Sequence, residues 1–203
     1  MTRRLLLAAL WLTTAITLPV ELLAGLRSTG GYDWARRTIS ELGAATWNEL
    51  GSPLHAWLNG AMVLAGLCLM VGAVWVARLP LPRRRLAAAG TLALVGLSTA
   101  ATGLVPLDVD AAGHVLVSVP ALALAPVPVL LLAPALLGAG TTLLRAVRLL
   151  GWVSLVAGVV VALWLDAPVP GLLERVAVWP STLLTAGGGA WLAMRDGALP
   201  QHV

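Results

Sequence analysis

An all-α bundle of six membrane-spanning helices is the fold class the sequence predicts, and three observations predict it. Of 203 residues, 59% are hydrophobic and only 11% charged, where ordinary soluble domains carry about 25% charge. The apolar residues fall into six stretches, each near the roughly 20 that a helix needs to cross a hydrocarbon core. Thirteen arginines and no lysine punctuate them, and the breaks alternate between arginine-rich and carboxylate-rich. The spans read as 5–26, 53–78, 86–105, 111–137, 146–165 and 171–194, with a long polar loop over 27–52, all in one integral membrane domain over 1–203.

The first span follows Arg3 and Arg4. Its apolar run exceeds the roughly 7–15 residues of a signal-peptide core, so it reads as a retained helix. Ser52-Pro53 reads as an N-cap and first-turn proline for the second span. The fourth span holds Pro120, Pro126, Pro128 and Pro134. Each leaves the carbonyl four residues back without its donor, so a kinked, central helix is expected. Gly60, Gly66 and Gly72, and the run Gly187–Gly189, offer smooth faces for close helix contact or for an oligomer.

With the N-terminus inside, the inner breaks hold nine arginines against one acid, Asp196, and the outer side holds four arginines against eight acids. That satisfies the positive-inside rule and places both termini in the cytoplasm. Trp34, Trp47, Trp57, Trp164 and Trp179 fall at the outer level and Trp11, Trp75, Trp152 and Trp191 at the inner one, where an indole suits the head-group boundary. The pI near 11 follows from arginines at span ends, which face membrane lipids and not nucleic acid. Cys68 is the single cysteine and lies mid-span, so an intrachain disulfide and a CxxC site are both excluded. The Ala-, Leu-, Val- and Arg-rich composition points to a bacterial plasma membrane.

Chemistry gathers on the outer side. Asp33 to Gly43 reads as a short interfacial helix capped by Asp33 and stopped by Gly43, with Trp34, Ile39 and Leu42 on the membrane surface. In a sharper reading it is a lid whose Arg36 and Arg37 clamp phosphate or carboxylate. Thr14, Thr17 and Glu21 form a stripe on the first span. His55 and Asn59, Ser98 and Thr102, and His114 and Ser118 are pairs four apart on later spans. With Glu174, Arg175, Ser181 and Thr185 of the last span, these faces are expected to converge on a polar pocket open to the outside. Arg175 reads either as a cation that snorkels outward from the helix start or as the partner of Asp166, Asp108 or Glu41.

Two catalytic arrangements are compatible with these residues. His55, Asp108, Asp110 and His114 offer imidazoles and carboxylates to zinc, although no compact metal motif is present; the plainer reading makes Asp110 a helix cap. Ser40, Glu41 and His114 permit a Ser-His-acid hydrolase, without a G-x-S-x-G elbow.

Three ordered segments carry a family resemblance: Arg37-Thr38-Ile39-Ser40-Glu41-Leu42-Gly43-Ala44, Gly103-Leu104-Val105-Pro106-Leu107-Asp108 with His114 after it, and Pro170-Gly171-Leu172-Leu173-Glu174-Arg175 with Trp179. They resemble landmarks of the bacterial and archaeal membrane family called domain of unknown function 998, from about Leu5 to Met194. Val105 stands where that family commonly has Phe. The resemblance implies a multi-helix membrane protein in which Ser40, Glu41, Asp108, His114, Glu174 and Arg175 belong to one outer site.

The reading these observations favour is a membrane protein that binds or moves a small or lipid-like ligand at the outer pocket, with Arg36, Arg37 and Arg175 on its anionic groups. The alternatives are an intramembrane lipid hydrolase, with zinc as its possible cofactor, and a structural partner in a membrane complex.

Overall fold

Proline decides where the long helices break. The computed structural model describes residues 3–79, 83–137, 140–164 and 167–194. Its helices are α1 (Arg3–Thr13), α2 (Thr17–Arg27), α3 (Ile39–Leu42), α4 (His55–Ala77), α5 (Arg84–Leu104), α6 (Ala111–Leu124), α7 (Val127–Leu137), α8 (Thr142–Leu163) and α9 (Pro170–Met194). A 3-10 turn, Thr14–Ile16, joins α1 to α2. Pro19 offers no N–H to the Ala15 carbonyl and its ring crowds that oxygen, so the chain tightens there.

The expected kink of the fourth stretch is present as a break between α6 and α7 at Ala125-Pro126. Within α6, Pro120 loosens the preceding turn, and Ser98 of α5 enters the gap. Its hydroxyl accepts from the Ala121 N–H (2.9 Å) and donates to the Val117 carbonyl. The Leu122 carbonyl, four residues before Pro126, occupies the place a side chain on Gly158 would need. Bare backbone of α8 therefore covers the break.

Six rods close a ring. The α1–α2 rod packs on α4, α4 on α5, α5 on α6 and α7, those two on α8, α8 on α9, and α9 back on α1. The α4–α5 pairing is the most extensive and brings backbones into contact. A Cβ on Gly66 would stand 2.6 Å from Ala100 N and 2.8 Å from Ala100 Cβ, and one on Gly96 would stand 2.9 Å from Met70 N. Gly188 and Gly189 face Trp11 and Ala8 of α1, so this part of the glycine run is used inside the chain. Trp11 is only 5% exposed within the Leu7, Leu69, Val76, Leu92 and Leu132 cluster. It fills the gap that Gly72 and the α9 glycines leave, and does not sit at a head-group boundary as its position in the first span suggests.

The outer surface is apolar. Leu23, Leu26, Leu97, Leu104, Leu116 and Leu163 are all exposed, and a water-soluble monomer rarely exposes apolar surface this extensive. Five helices, Leu5–Arg27, His55–Ala77, Arg84–Leu104, Ala111–Leu137 and Thr142–Leu163, are long and apolar enough to cross a membrane. The sixth rod, α9, is long enough at 25 residues, but Glu174, Arg175, Ser181, Thr182, Thr185 and its glycines make it less apolar. The α8 helix starts four residues before the expected 146 because the Thr141 hydroxyl caps it, accepting from Leu144 N–H at 3.1 Å. Leu165, Asp166, Arg195 and Asp196 lie outside the described residues.

The loop departs most from expectation. Helix forms only over Ile39–Leu42, N-capped by Thr38 in a capping box with Glu41. Asp33 caps a separate turn, accepting from Ala35 and Arg36 N–H. Ile39 and Leu42, at 3% and 0% exposure, pack with Ala24, Leu50 and Leu58 and do not rest on a membrane surface. A hairpin follows, pairing Thr46–Trp47 with Leu50–Gly51. Its turn places Asn48 and Glu49 at φ of 45° and 67°, the left-handed pair of a two-residue turn. Ser52 donates its hydroxyl to the Leu42 carbonyl at 2.7 Å and does not cap α4, which begins at His55 after an uncapped Leu54. The loop is a folded plug seated in one end of the ring.

Close α4–α5 contact gives a test. Gly66→Val should cost about 1–3 kcal/mol by overpacking, read as a lower thermal midpoint of the detergent-solubilised protein. Gly90→Ala, with nothing within 4 Å of the added carbon, should hold or slightly raise the midpoint, since Ala is the better helix former.

Candidate functional site

The start of α9 carries the residues that hold the plug. Its first N–H groups have no partner within the helix, and the loop supplies one: Leu172 N–H donates to the Ala35 carbonyl at 2.9 Å. Gly171 permits this approach, because a side chain there would collide with the Arg37 carbonyl. One turn on, Glu174 accepts from Ile39 N–H at 2.6 Å and from the Ser40 hydroxyl at 3.0 Å. A carboxylate from the last helix thus binds the start of α3, far back in sequence.

Arg175 faces the other way. Its Nε lies 2.9 Å from Glu21 Oε1, with the two side chains 7% and 3% exposed. Its Nη1 donates to the carbonyls of Trp34 (2.7 Å), Arg37 (3.1 Å) and Gly171 (3.0 Å), and its Nη2 to the Tyr32 hydroxyl. The guanidinium also lies 4.9 Å from the Trp34 ring centroid and 5.4 Å from that of Tyr32. A planar fork with five donors suits this task; an ammonium does not. Glu21 completes the set by accepting from the Trp179 indole at 2.8 Å.

Tyr32 and Trp34 meet edge to face at 4.9 Å. Gly25 leaves room for the Trp34 indole, since a Cβ there would stand 2.5 Å from the ring. The Tyr32 hydroxyl donates to the carbonyls of Thr38 (2.9 Å) and Arg37 (3.1 Å). Burial holds this phenol above the ordinary tyrosine range, outweighing the opposing pull of Arg175, so it remains a neutral hydroxyl at physiological pH.

Three cavities adjoin beneath the plug. One, of about 150 Å³, is lined by Thr38, Ser40, His114, Ser118, Trp164, Glu174 and neighbouring apolar groups of α6 and α8. The next, of about 110 Å³, shares Ser40, Ser118, Leu122 and Glu174 with it and adds Glu21, Thr14, Thr17, Thr99, Thr102, Ser181, Thr182 and Thr185. The third, of about 220 Å³, shares Leu92 and Thr185 with the second. Its remaining walls are almost wholly apolar, with Pro128, Leu132, Leu136 and Trp191 among them. Thr14 and Thr17 of the α1–α2 rod, Thr102 of α5, Ser118 of α6 and Ser181 and Thr185 of α9 thus line one cavity.

The expected site residues separate into three groups. Ser40, His114 and Glu174 line one cavity. Arg37, Glu41, Asn59, Asp108 and Arg175 hold the plug. Arg37 lies 3.5 Å from Glu41 and donates to the Asn48 carbonyl at 3.0 Å. Asn59 donates to the Gly43 carbonyl at 2.7 Å, and Asp108 accepts from Ala45 N–H at 2.8 Å. Arg36 is exposed, 4.0 Å from Asp33. The partner of Arg175 is Glu21, while Asp108 and Glu41 are engaged elsewhere and Asp166 lies outside the described residues.

The residues weighed for catalysis are occupied individually. His55 Nδ1 contacts the Ser52 carbonyl at 2.7 Å, and Asp110 caps α6 by accepting from Gly113 N–H at 2.9 Å. Among the described residues no group of three or more His, Cys, Asp or Glu is placed to hold a metal ion. The Ser40 hydroxyl is directed to Glu174 and the His114 Nδ1 to the Val105 carbonyl at 2.6 Å. Nε2 of His114 is buried with no hydrogen-bond partner among the described residues.

Sequence reasoning passed over Tyr32, placed Trp179 at the outer head-group level without a partner, and treated Glu21 as part of a stripe. Tyr32 is the only tyrosine in the chain, and a phenol in an interfacial loop gave no sign of a long-range partner. Glu21 did carry a signal: a carboxylate inside an apolar span requires a cation.

Breaking the Arg175–Glu21 pair tests the plug. Arg175→Met should cost about 3–5 kcal/mol, since one buried charge is left alone. Adding Glu21→Gln to it should recover part of that loss. Arg175→Lys should keep the charge but speed hydrogen exchange at Leu172, Ile39 and Glu41 amides, read by mass spectrometry.

The three segments that suggested a family are brought together in space: Ile39 and Ser40 meet Glu174, Ala45 meets Asp108, and His114 shares a cavity wall with Glu174. No curated protein and no solved structure matches the chain. The family model described as "Protein of unknown function (DUF998)" matches residues 6–191. That match and the apolar helices fit an integral, multi-pass membrane protein, and the chain belongs to the DUF998 family.

Proposed function

We propose that this protein is a six-span protein of a bacterial plasma membrane that binds or moves a small or lipid-like ligand in cavities beneath its outer loop. The observation that carries this reading is the gradient along the three adjoining cavities. Ionisable groups and hydroxyls wall the loop end, and nearly pure hydrocarbon walls the other. A polar head at Glu174 and an apolar body running toward Leu132 would be matched along its length.

The sixth span in this reading is α9. Its polar residues turn inward, since Glu174, Arg175, Ser181 and Thr185 are all buried, and its membership of the closed ring makes it as long a rod as its neighbours. The arginine count favours both termini inside and the plug outside. Of the three arginines first assigned to an anionic ligand, only Arg36 is largely unoccupied by internal contacts. Ligand recognition therefore rests on the cavity walls.

Topology is tested in a Cys68→Ala background with single cysteines at Thr46 and Arg84. A membrane-impermeant thiol reagent should label position 46 in intact cells and position 84 only after permeabilisation. Labelling of both from one side overturns the arrangement.

Occupancy is tested by native mass spectrometry of protein released from nanodiscs. A tightly held small-molecule or lipid adduct should persist on the unaltered protein and be reduced severalfold in Thr185→Leu, which fills the wall common to two cavities. Equal adducts on both proteins would remove the support for this pocket.

A further inference from the structure

We propose that the cavities meeting at Glu174 select an organic ammonium ion, a primary amine on an apolar body, and reject anions. This rests on the pocket reading above and specifies the ligand's charge.

Charge balance is the first argument. The buried set contains two carboxylates, Glu21 and Glu174, and one guanidinium, Arg175. Glu21 and Arg175 pair directly at 2.9 Å. The hydrogen bonds of Glu174 come from neutral donors, the Ile39 N–H and the Ser40 hydroxyl. Buried charges are ordinarily paired, and each oxygen of Glu174 retains a lone pair for a further donor.

The second argument is the polarity of the walls. No arginine lines either of the two cavities that share Glu174. Among the described residues, the other ionisable group on the 150 Å³ cavity is His114. Its Nδ1 contacts a backbone carbonyl, which only accepts, so Nδ1 carries the proton and Nε2 of the neutral ring is a bare acceptor. That Nε2 is buried without a partner. An anion entering here would meet a carboxylate and an imidazole lone pair. An ammonium brings three N–H donors to the partnerless His114 Nε2 and to the remaining lone pairs of Glu174.

The third argument is the body of the site. Trp164 lies on the same wall and provides a ring face of the kind that attracts ammonium ions. Beyond Leu92 and Thr185 the third cavity is almost wholly apolar, which suits an alkyl group and not a second charge.

The experiment is isothermal binding of hexylammonium, hexanol and hexanoate to the full chain in phosphatidylcholine nanodiscs. Hexylammonium should bind most tightly and hexanoate least. Glu174→Gln, whose amide oxygen can accept from Ile39 N–H while its NH2 donates to the Ser40 hydroxyl, should weaken hexylammonium roughly ten- to a hundredfold, the range of a lost charged hydrogen bond, and leave hexanol unchanged. His114→Asn, which keeps a donor for Val105, should weaken hexylammonium by a smaller factor. Arg36→Ala is the control and should change nothing. Repeating the titration with phosphatidylethanolamine in the nanodiscs separates two sources of the amine. Competition identifies a lipid headgroup and its absence a free amine; both support the proposal.

Hexanoate binding as tightly as hexylammonium, or unchanged hexylammonium affinity in Glu174→Gln with the thermal midpoint preserved, overturns it. Hexanol binding that Thr185→Leu abolishes, without preference for the amine, overturns the charge selectivity and leaves the pocket standing. If none of the three binds, the pocket falls as well.

Discussion

The guanidinium of Arg175 joins parts of the chain that otherwise have little reason to stay together. It bonds to a carboxylate from α2, to two carbonyls and a phenol from the loop, and to a carbonyl of its own helix. In a low-dielectric setting each of these groups needs a partner, because water is not there to substitute. The loop backbone can enter the ring only because these donors receive it. Glu174 completes the seat by receiving the start of α3. Without these two adjacent side chains, Ile39 and Leu42 have no folded surface to define where they dock.

Much of the fold was legible in the sequence because lipid enforces simple rules. Apolar length located the five helices long and apolar enough to cross a membrane to within a few residues, and prolines located the break in the fourth stretch. Beside Pro120, the Ser98 hydroxyl bridges the Val117 carbonyl and the Ala121 N–H. The inward convergence of Thr14, Ser118, Ser181 and Thr185 followed from helical spacing alone. Periodicity carries such information because the membrane excludes polar groups from the outer face.

The loop was poorly legible for the opposite reason. Its structure is set by long-range contacts, which local spacing does not encode. Local rules named Asp33 as the cap of the loop helix; the structure uses Thr38 instead, and that choice comes with the pull of Glu174 on Ile39 N–H. Trp34 looked like an interface anchor and is instead stacked on a cation beside Gly25. Ser52 looked like a cap and is turned back to Leu42. In each case a residue with a good local use has a better distant one. The arginines were misjudged similarly, since the positive charge of Arg175 suggested an anionic visitor while its partners are internal.

The closed ring sets an order of assembly. Glu21 emerges 154 residues ahead of Arg175, which at ordinary translation speeds of about 5–20 residues per second is a delay of roughly 8 to 30 s. Through that interval the carboxyl has no guanidinium and must keep contact with water or phospholipid head groups. The α1–α2 rod therefore cannot settle until α9 arrives, and the biosynthetic intermediate is an open crescent with that rod at one end and α8 at the other.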